Sequence, residues 1–321
     1  MSTKCRIRNF QPGFFAIPVG LAGLAIAYEK LASILNNNTL CLIGKYLGIG
    51  AIAVWFIIAL LYILKFVLNK EGVIKDFQHP IKSTILSLAP IGLLVSSIAL
   101  SKFFPQFAFT LSIAGAIVQI LFTFYIFRFW LNKDIHLDHI TPTWYIPVVG
   151  NILVPITPLN KILGIFNYFF LSFGLIFWII LTTIIYYRKF FHSPISDELL
   201  PSLFIMLAPP SIGFISYYNV THTFDTFAHI LYFIALSFFF VLLTIFDKFF
   251  KIEFRITWWA YIFPIDALTI ATFLYYHLDK NVLFLKLGEA FLALATILLV
   301  IITYKTLKAI KKGEICLRAE Q

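Results

Sequence analysis

The sequence predicts an all-α integral membrane protein. Ten transmembrane helices form five helical-hairpin repeats, with the odd helices kinked around a central pore and the even helices outside them. Three observations carry this prediction. Hydrophobic residues fill 60% of 321 positions and charged residues only 12%, with a mean hydropathy of +0.91, whereas soluble domains carry about 45–50% apolar and about 25% charged residues. Ten apolar runs, most of them near the roughly 20 residues that cross a bilayer, divide the chain. Interior proline falls only in the odd-numbered runs.

The runs lie at 11–35, 41–68, 83–103, 106–131, 143–160, 162–187, 200–220, 225–247, 255–277 and 282–307. The fifth is the weakest as a span, because Pro142, Pro147, Pro155 and Pro158 crowd it. Counting it keeps the basic loops on one side. With the N-terminus inside, 19 of the 25 Lys and Arg residues fall on the inner side and six (Lys30, Lys45, Lys102, Lys161, Lys280, Lys286) on the outer side. That asymmetry over short loops is the positive-inside pattern, and it places both termini in the cytoplasm of a cell-membrane protein. The division is therefore residues 1–10 as a cytoplasmic N-terminus, 11–307 as the ten-helix pore domain and 308–321 as a basic cytoplasmic tail. The net charge of +10 reads as topology and contact with anionic lipid. A nucleic-acid surface would need an exposed basic domain, which the chain lacks. Lys4, Arg6 and Arg8 ahead of an apolar run imitate a signal peptide, but with no soluble domain behind them the first helix reads as retained.

Proline placement describes the architecture. Pro18, Pro90, Pro147, Pro209 and Pro264 mark the five odd runs at one hairpin per repeat. A proline removes a backbone hydrogen bond and clashes with the preceding turn. Within a bilayer that defect is tolerated where protein or a water-filled cavity receives the freed carbonyl. The odd helices are therefore expected inside and the straight even ones around them. Small and polar residues follow the same division: Gly13, Gly20, Gly23, Gly92, Ser96, Ser97, Gly150, Asn151, Gly213, Thr269 and Thr272 all lie on odd helices. Singly, each suits helix packing; together, they suit a narrow polar path, with Ser96, Asn151 and Thr269 as pore-lining candidates.

Several signals carry no chemistry. Cys5, Cys41 and Cys316 have no pair spacing. His136, Asp138 and His139 offer too few ligands for a metal site, and His222 with Asp225 reads as an ordinary outer loop. Glu29 and Glu289 lie at outer helix ends within reach of water. Walker, His-Glu-x-x-His and nucleophile-elbow patterns are absent from the sequence. Neither an enzyme nor an ATP-driven pump is expected, and no cofactor or metal is called for.

Four stretches carry a family resemblance. They are Gly13-Phe14-Phe15-Ala16-Ile17-Pro18-Val19-Gly20-Leu21-Ala22-Gly23-Leu24, His79-Pro80, Pro142-Thr143-Trp144-Tyr145-Ile146-Pro147-Val148-Val149-Gly150 and Trp258-Trp259-Ala260-Tyr261-Ile262-Phe263-Pro264. Spread over the whole chain and in order, they resemble the tellurite-resistance/dicarboxylate transporter family, whose plant members are the slow-type anion channels of guard cells. The resemblance implies a homotrimer with a pore in each protomer, formed by the five inner helices. It also implies that the ring just before the ninth-helix proline, here Phe263, plugs that pore. No Lys or Arg stands in the middle of an odd helix, so anions would be held by hydroxyls and helix-start dipoles, favouring small monovalent anions such as chloride and nitrate. The alternative is a proton-coupled carrier of a C4-dicarboxylate such as malate, or of sulfite, with tellurite resistance as an associated trait. Asp266, three residues after Phe263, carries that alternative as a proton-sensitive coupling residue; in the plainer reading it points away from the pore and pairs within the helix bundle.

Overall fold

The structure is a computed structural model that describes residues 7–192 and 195–314. Lys4, Cys5, Arg6, Cys316 and Arg318, with the outer parts of both proposed termini, lie outside the described residues. Every regular element among the described residues is helical. Among the described residues nine helices are long and apolar enough to cross a membrane: α1 (Pro12–Leu35), α2 (Asn38–Leu68), α3 (Lys82–Leu100), α4 (Pro105–Asn132), α6 (Asn160–Phe191), α7 (Leu200–Thr221), α8 (Thr226–Leu243), α9 (Ile256–Asp279) and α10 (Val282–Lys312). Between α4 and α6 lies a shorter apolar helix, α5 (Pro142–Ile156).

Burial separates these helices into two shells. The apolar windows of α1, α3, α7 and α9 are 67–78% buried, whereas those of α2, α4, α6, α8 and α10 are 22–39% buried. Helix α5 is buried from Pro142 through Pro155. Each inner helix packs on its successor in the set α1, α3, α5, α7, α9, and α9 returns to α1, closing a ring. Each outer helix packs on the inner helix before it, as α2 does on α1 and α10 on α9; α6 does so on α5. The outer helices turn large apolar side chains such as Phe56, Leu121, Ile179, Phe240 and Val300 outward, the surface a bilayer solvates.

Proline acts at a different place from the mid-helix kink expected of it. In all five inner helices the α-helical segment is preceded by a break or a 3-10 stretch, and the marked proline sits in its first turn. The segments start at Ala16, Leu88, Tyr145, Ala208 and Ile262, putting Pro18, Pro90, Pro147 and Pro264 third and Pro209 second. The first turn is where a missing N–H costs nothing and the fixed φ is already helical. Each inner helix is thus built of more than one segment, with its proline at the start of the α-helical one.

At two of these joints an outer helix bonds the exposed backbone. Trp55 Nε1 of α2 donates to Ala89 O at 2.8 Å, one residue before Pro90. Gln119 Nε2 and Thr123 Oγ1 of α4 both donate to Pro147 O, at 2.9 and 2.7 Å, and Asn151 Nδ2 adds a third bond at 3.1 Å. Away from the joints the inner helices end on a repeated device. Asn36, His222 and Lys280 close α1, α7 and α9 in the left-handed conformation, and Asn37, Asp225 and Asn281 then cap the outer helix that follows.

At the opposite face His79 Nδ1 accepts from Ile81 N at 3.1 Å and Lys82 N at 3.3 Å, capping the start of α3. Partial burial, with Lys82 and His139 adding to it, holds this imidazole below its ordinary value. An unfolded chain takes up the proton near the ordinary pKa of about 6.5, so the contribution of His79 is full above that value and is lost as pH falls below it. A thermal midpoint measured at pH 7.5 and 5.5 is expected to fall on acidification in the wild type, and to fall less in His79→Asn, whose amide oxygen keeps the cap. An equal fall in the two proteins would show that His79 is not the group concerned. The side chain is exposed, so the effect is small.

Candidate anion pathway

Two cavities lie along the axis of the ring, and every residue lining them comes from an inner helix or lies within two residues of one. The first occupies the half where the inner helices begin. It holds about 100 Å³ and its wall is almost wholly apolar, with Val19, Leu88, Ile146, Leu153 and Ile205 among its lining. Four hydroxyl-bearing residues interrupt it, of which Tyr145 donates to Thr182 Oγ1 at 2.8 Å. Thr143 is engaged with Thr84 and Thr141, and Thr257 donates to Glu198 O, whereas Ser202 Oγ is buried without a partner. The second cavity, of about 620 Å³, fills the half where the inner helices end.

Three residues line both cavities: Leu153 of α5, Ile212 of α7 and Phe263 of α9. Phe263 is the only aromatic among them. Its half-buried ring stands where one space gives way to the other, and its seat is built by glycine. A β-carbon at Gly23 of α1 would lie 2.9 Å from Phe263 Cδ2, and one at Gly20 would lie 2.9 Å from Ile262 Cγ2. The spacing Gly20-x-x-Gly23 therefore lets α9 approach α1 closely at the joint. Gly23→Ala is expected to displace the Phe263 ring; in a conducting assay the current should rise, by less than in Phe263→Ala, and the two changes should not add. Independent, additive effects would show that Gly23 does not seat the ring.

The remaining sequence-predicted residues fall into two groups. Pro264 lines the narrow cavity beside Phe263; the other four prolines do not touch either space. Ser96, Asn151 and Thr269 stand off both cavities. Asn151 serves the α5 joint through Pro147 O, Val148 O and Thr123 Oγ1, Thr269 Oγ1 returns to Ile265 O, and Ser96 is fully buried. Asp266 is likewise fully buried and lines neither cavity. It faces α1, where a β-carbon at Gly23 would lie 2.7 Å from Asp266 Oδ2, and neither of its oxygens has a hydrogen-bond partner. His136 and His139 lie beyond the ring's mouth, their rings 6.2 Å apart, with His79 6.4 Å from His139.

The structure adds residues the sequence had placed elsewhere. Lys30 and Lys102, counted as outer-loop charges, line the wide cavity together with Glu29 and His277. Their positions at the ends of α1 and α3 were legible; their convergence depends on the ring.

Comparison with known proteins decides the family. The voltage-dependent anion channel family, SLAC1, matches residues 9–307. The chain belongs to this family. It is 26% identical to the uncharacterized transporter MJ0762 of Methanocaldococcus jannaschii, over 96% of this chain and 97% of that protein. It is 27% identical to the tellurite resistance protein TehA homolog of Haemophilus influenzae, over 83% of this chain and 81% of that one. Against the S-type anion channel SLAH3 of Arabidopsis thaliana it is 27% identical over 88% of this chain, which spans 46% of the plant protein. Membership makes the chain a multi-pass membrane protein of a family of anion channels and transporters.

Proposed function

We propose that this SLAC1-family protein is an anion channel that passes small monovalent anions, chloride and nitrate among them, along the axis of its inner helices through a pore gated by Phe263. The observation that carries the reading is that Phe263 lines both axial cavities and is the only aromatic side chain that does so. A hydrophobic ring in a narrow apolar passage blocks ions because it cannot replace their hydration water. Lys and Arg are absent from the narrow cavity's lining, so an anion there is stabilised by hydroxyls such as Ser202 and by the positive ends of the α-segments that begin around it. Weak discrimination among small anions follows. Tight dicarboxylate binding would call for an Arg clamp.

On this reading the pore domain of residues 11–307 sits in the cell membrane with both termini cytoplasmic, the narrow cavity inward and the wide one outward. Each protomer of a homotrimer carries its own pore. The test is anion current in a bilayer or oocyte for wild type and Phe263→Ala in chloride, nitrate and malate. Large mutant currents that reverse with the anion gradient support the channel.

One observation favours a second reading, a proton-coupled carrier of a C4-dicarboxylate or sulfite with tellurite resistance as a consequence. Asp266 is a fully buried carboxyl with both oxygens unpartnered, directly behind the seat of Phe263, and an intramembrane acid is a functional group by default. No current in either protein, with malate uptake that follows a proton gradient and is lost in Asp266→Asn, would select the carrier.

A further inference from the structure

We infer that the wide cavity is an anion-collecting antechamber, in which Lys30, Lys102 and His277 draw small inorganic anions from the adjoining solution and Glu29 sets how strongly they do so. Its consequence for flux rests on the channel reading; its existence as a binding space does not.

Four side chains supply the charge. Among the described residues Lys30, Lys102, Glu29 and His277 are the only Lys, Arg, Asp, Glu or His residues lining the cavity. They come from the ends of three helices that neighbour one another in the ring: α1 carries Glu29 and Lys30, Lys102 follows α3, and His277 lies in the last turn of α9. Among the described residues neither lysine has a carboxylate within ion-pair distance, and Lys102 Nζ meets only Cys41 Sγ at 3.3 Å and the Phe103 ring. Two lysines thus line a space of about 620 Å³ with no carboxylate in ion-pair contact. A charged cleft with low-dielectric walls focuses its field and raises the local concentration of the opposite ion.

Glu29 is placed to oppose them. Its stem lies against α2 at Gly44, where a β-carbon would come within 2.7 Å of Glu29 Cγ. Its head interacts electrostatically with both Lys102 and Lys30, and its Oε1 is buried without a hydrogen-bond partner. With His277 neutral and Glu29 ionised, two lysines and one glutamate leave the cavity at +1; removing the carboxylate charge takes it to +2. Glu29 is a tethered competitor for the lysines, and a passing anion must outweigh it.

The experiment reads local anion concentration without requiring conduction. Ser33, an exposed lining residue, is changed to cysteine in a protein whose Cys5, Cys41 and Cys316 are serine, and is labelled with a small fluorophore. Iodide quenching is then compared with quenching by neutral acrylamide in 20 mM and 500 mM salt. Iodide quenching relative to acrylamide is expected to fall about threefold in Lys30→Gln/Lys102→Gln and to rise about twofold in Glu29→Gln at low salt. Both differences should vanish at high salt, where the Debye length is only a few ångströms. Unchanged ratios in both variants at low salt overturn the antechamber, and unchanged acrylamide quenching certifies that the fold is intact. The same substitutions in the Phe263→Ala background separate the two proposals. Expected quenching without current there keeps the antechamber and rejects the channel, whereas current with flat iodide quenching keeps the channel and rejects the antechamber.

Discussion

Phe263→Ala should raise anion current by about two orders of magnitude at wild-type surface expression. The change removes a ring that lines both cavities, of about 100 and 620 Å³, and on the channel reading it joins them. On the channel reading the closed passage is impermeable because an anion would have to shed water against apolar walls. A hundredfold rise corresponds to a barrier lowered by roughly 2.7 kcal/mol, since each factor of ten is about 1.36 kcal/mol. Phe263→Leu, which shortens the plug and keeps it apolar, should give a current between wild type and alanine. Leu153 and Ile212 also touch both spaces, so alanine at either is expected to act mainly once the ring is gone. Voltage-clamp recording in chloride and nitrate measures all four variants. Near-zero current in Phe263→Ala at matched expression would remove the gate from the protein.

Phe263 and the two helix shells differ in how they could be read from the chain. The expected spans and the observed helices agree within a few residues at most ends, because bilayer solvation writes a hydropathy signal that needs no tertiary knowledge. The inner–outer division followed from proline, although the residues act as helix starts at a joint where a mid-helix kink was expected. Helix α5 shows why its four prolines made a weak span: it runs 3-10, α, then 3-10 over fifteen residues. Polarity misled the choice of lining. Ser96, Asn151 and Thr269 were picked because hydroxyls and amides suit a pore, yet inside lipid the same groups serve backbone joints and helix packing. Leu153 and Ile212 carried no signal at all, being apolar among many. Glu29, Lys30 and Lys102 were read by their distance from helix centres, and only closure of the ring brings those ends around one space.

A second large effect is expected far from the axis, at the corner where the N-terminal segment enters α1. Lys65 in the last turn of α2 donates to Phe10 O at 2.7 Å and pairs with Asp76 of the short helix Lys70–Gln78. Tyr62 OH donates to the same carboxylate at 3.0 Å, and Lys82 lies 3.8 Å from its other oxygen. The side chains of Lys65 and Asp76 are 5% and 6% exposed. Breaking a buried pair by removing one partner costs about 3–5 kcal/mol, and without Lys65 the carboxylate keeps only Tyr62 and the more distant Lys82. Lys65→Met is therefore expected to lower the thermal midpoint in detergent by roughly 10 °C, read by tryptophan fluorescence at a fixed scan rate. Replacing both partners with apolar residues of similar volume, Lys65→Met with Asp76→Leu, should recover most of that loss, because no uncompensated charge remains. Such recovery would also show that Phe10 O tolerates losing its donor, and that Phe10 stacked on Phe14 at 4.6 Å suffices to hold the entry to Gly13 at the narrow cavity. A midpoint in Lys65→Met within a degree or two of wild type would mean that Lys82 closes the gap to Asp76 once Lys65 is gone.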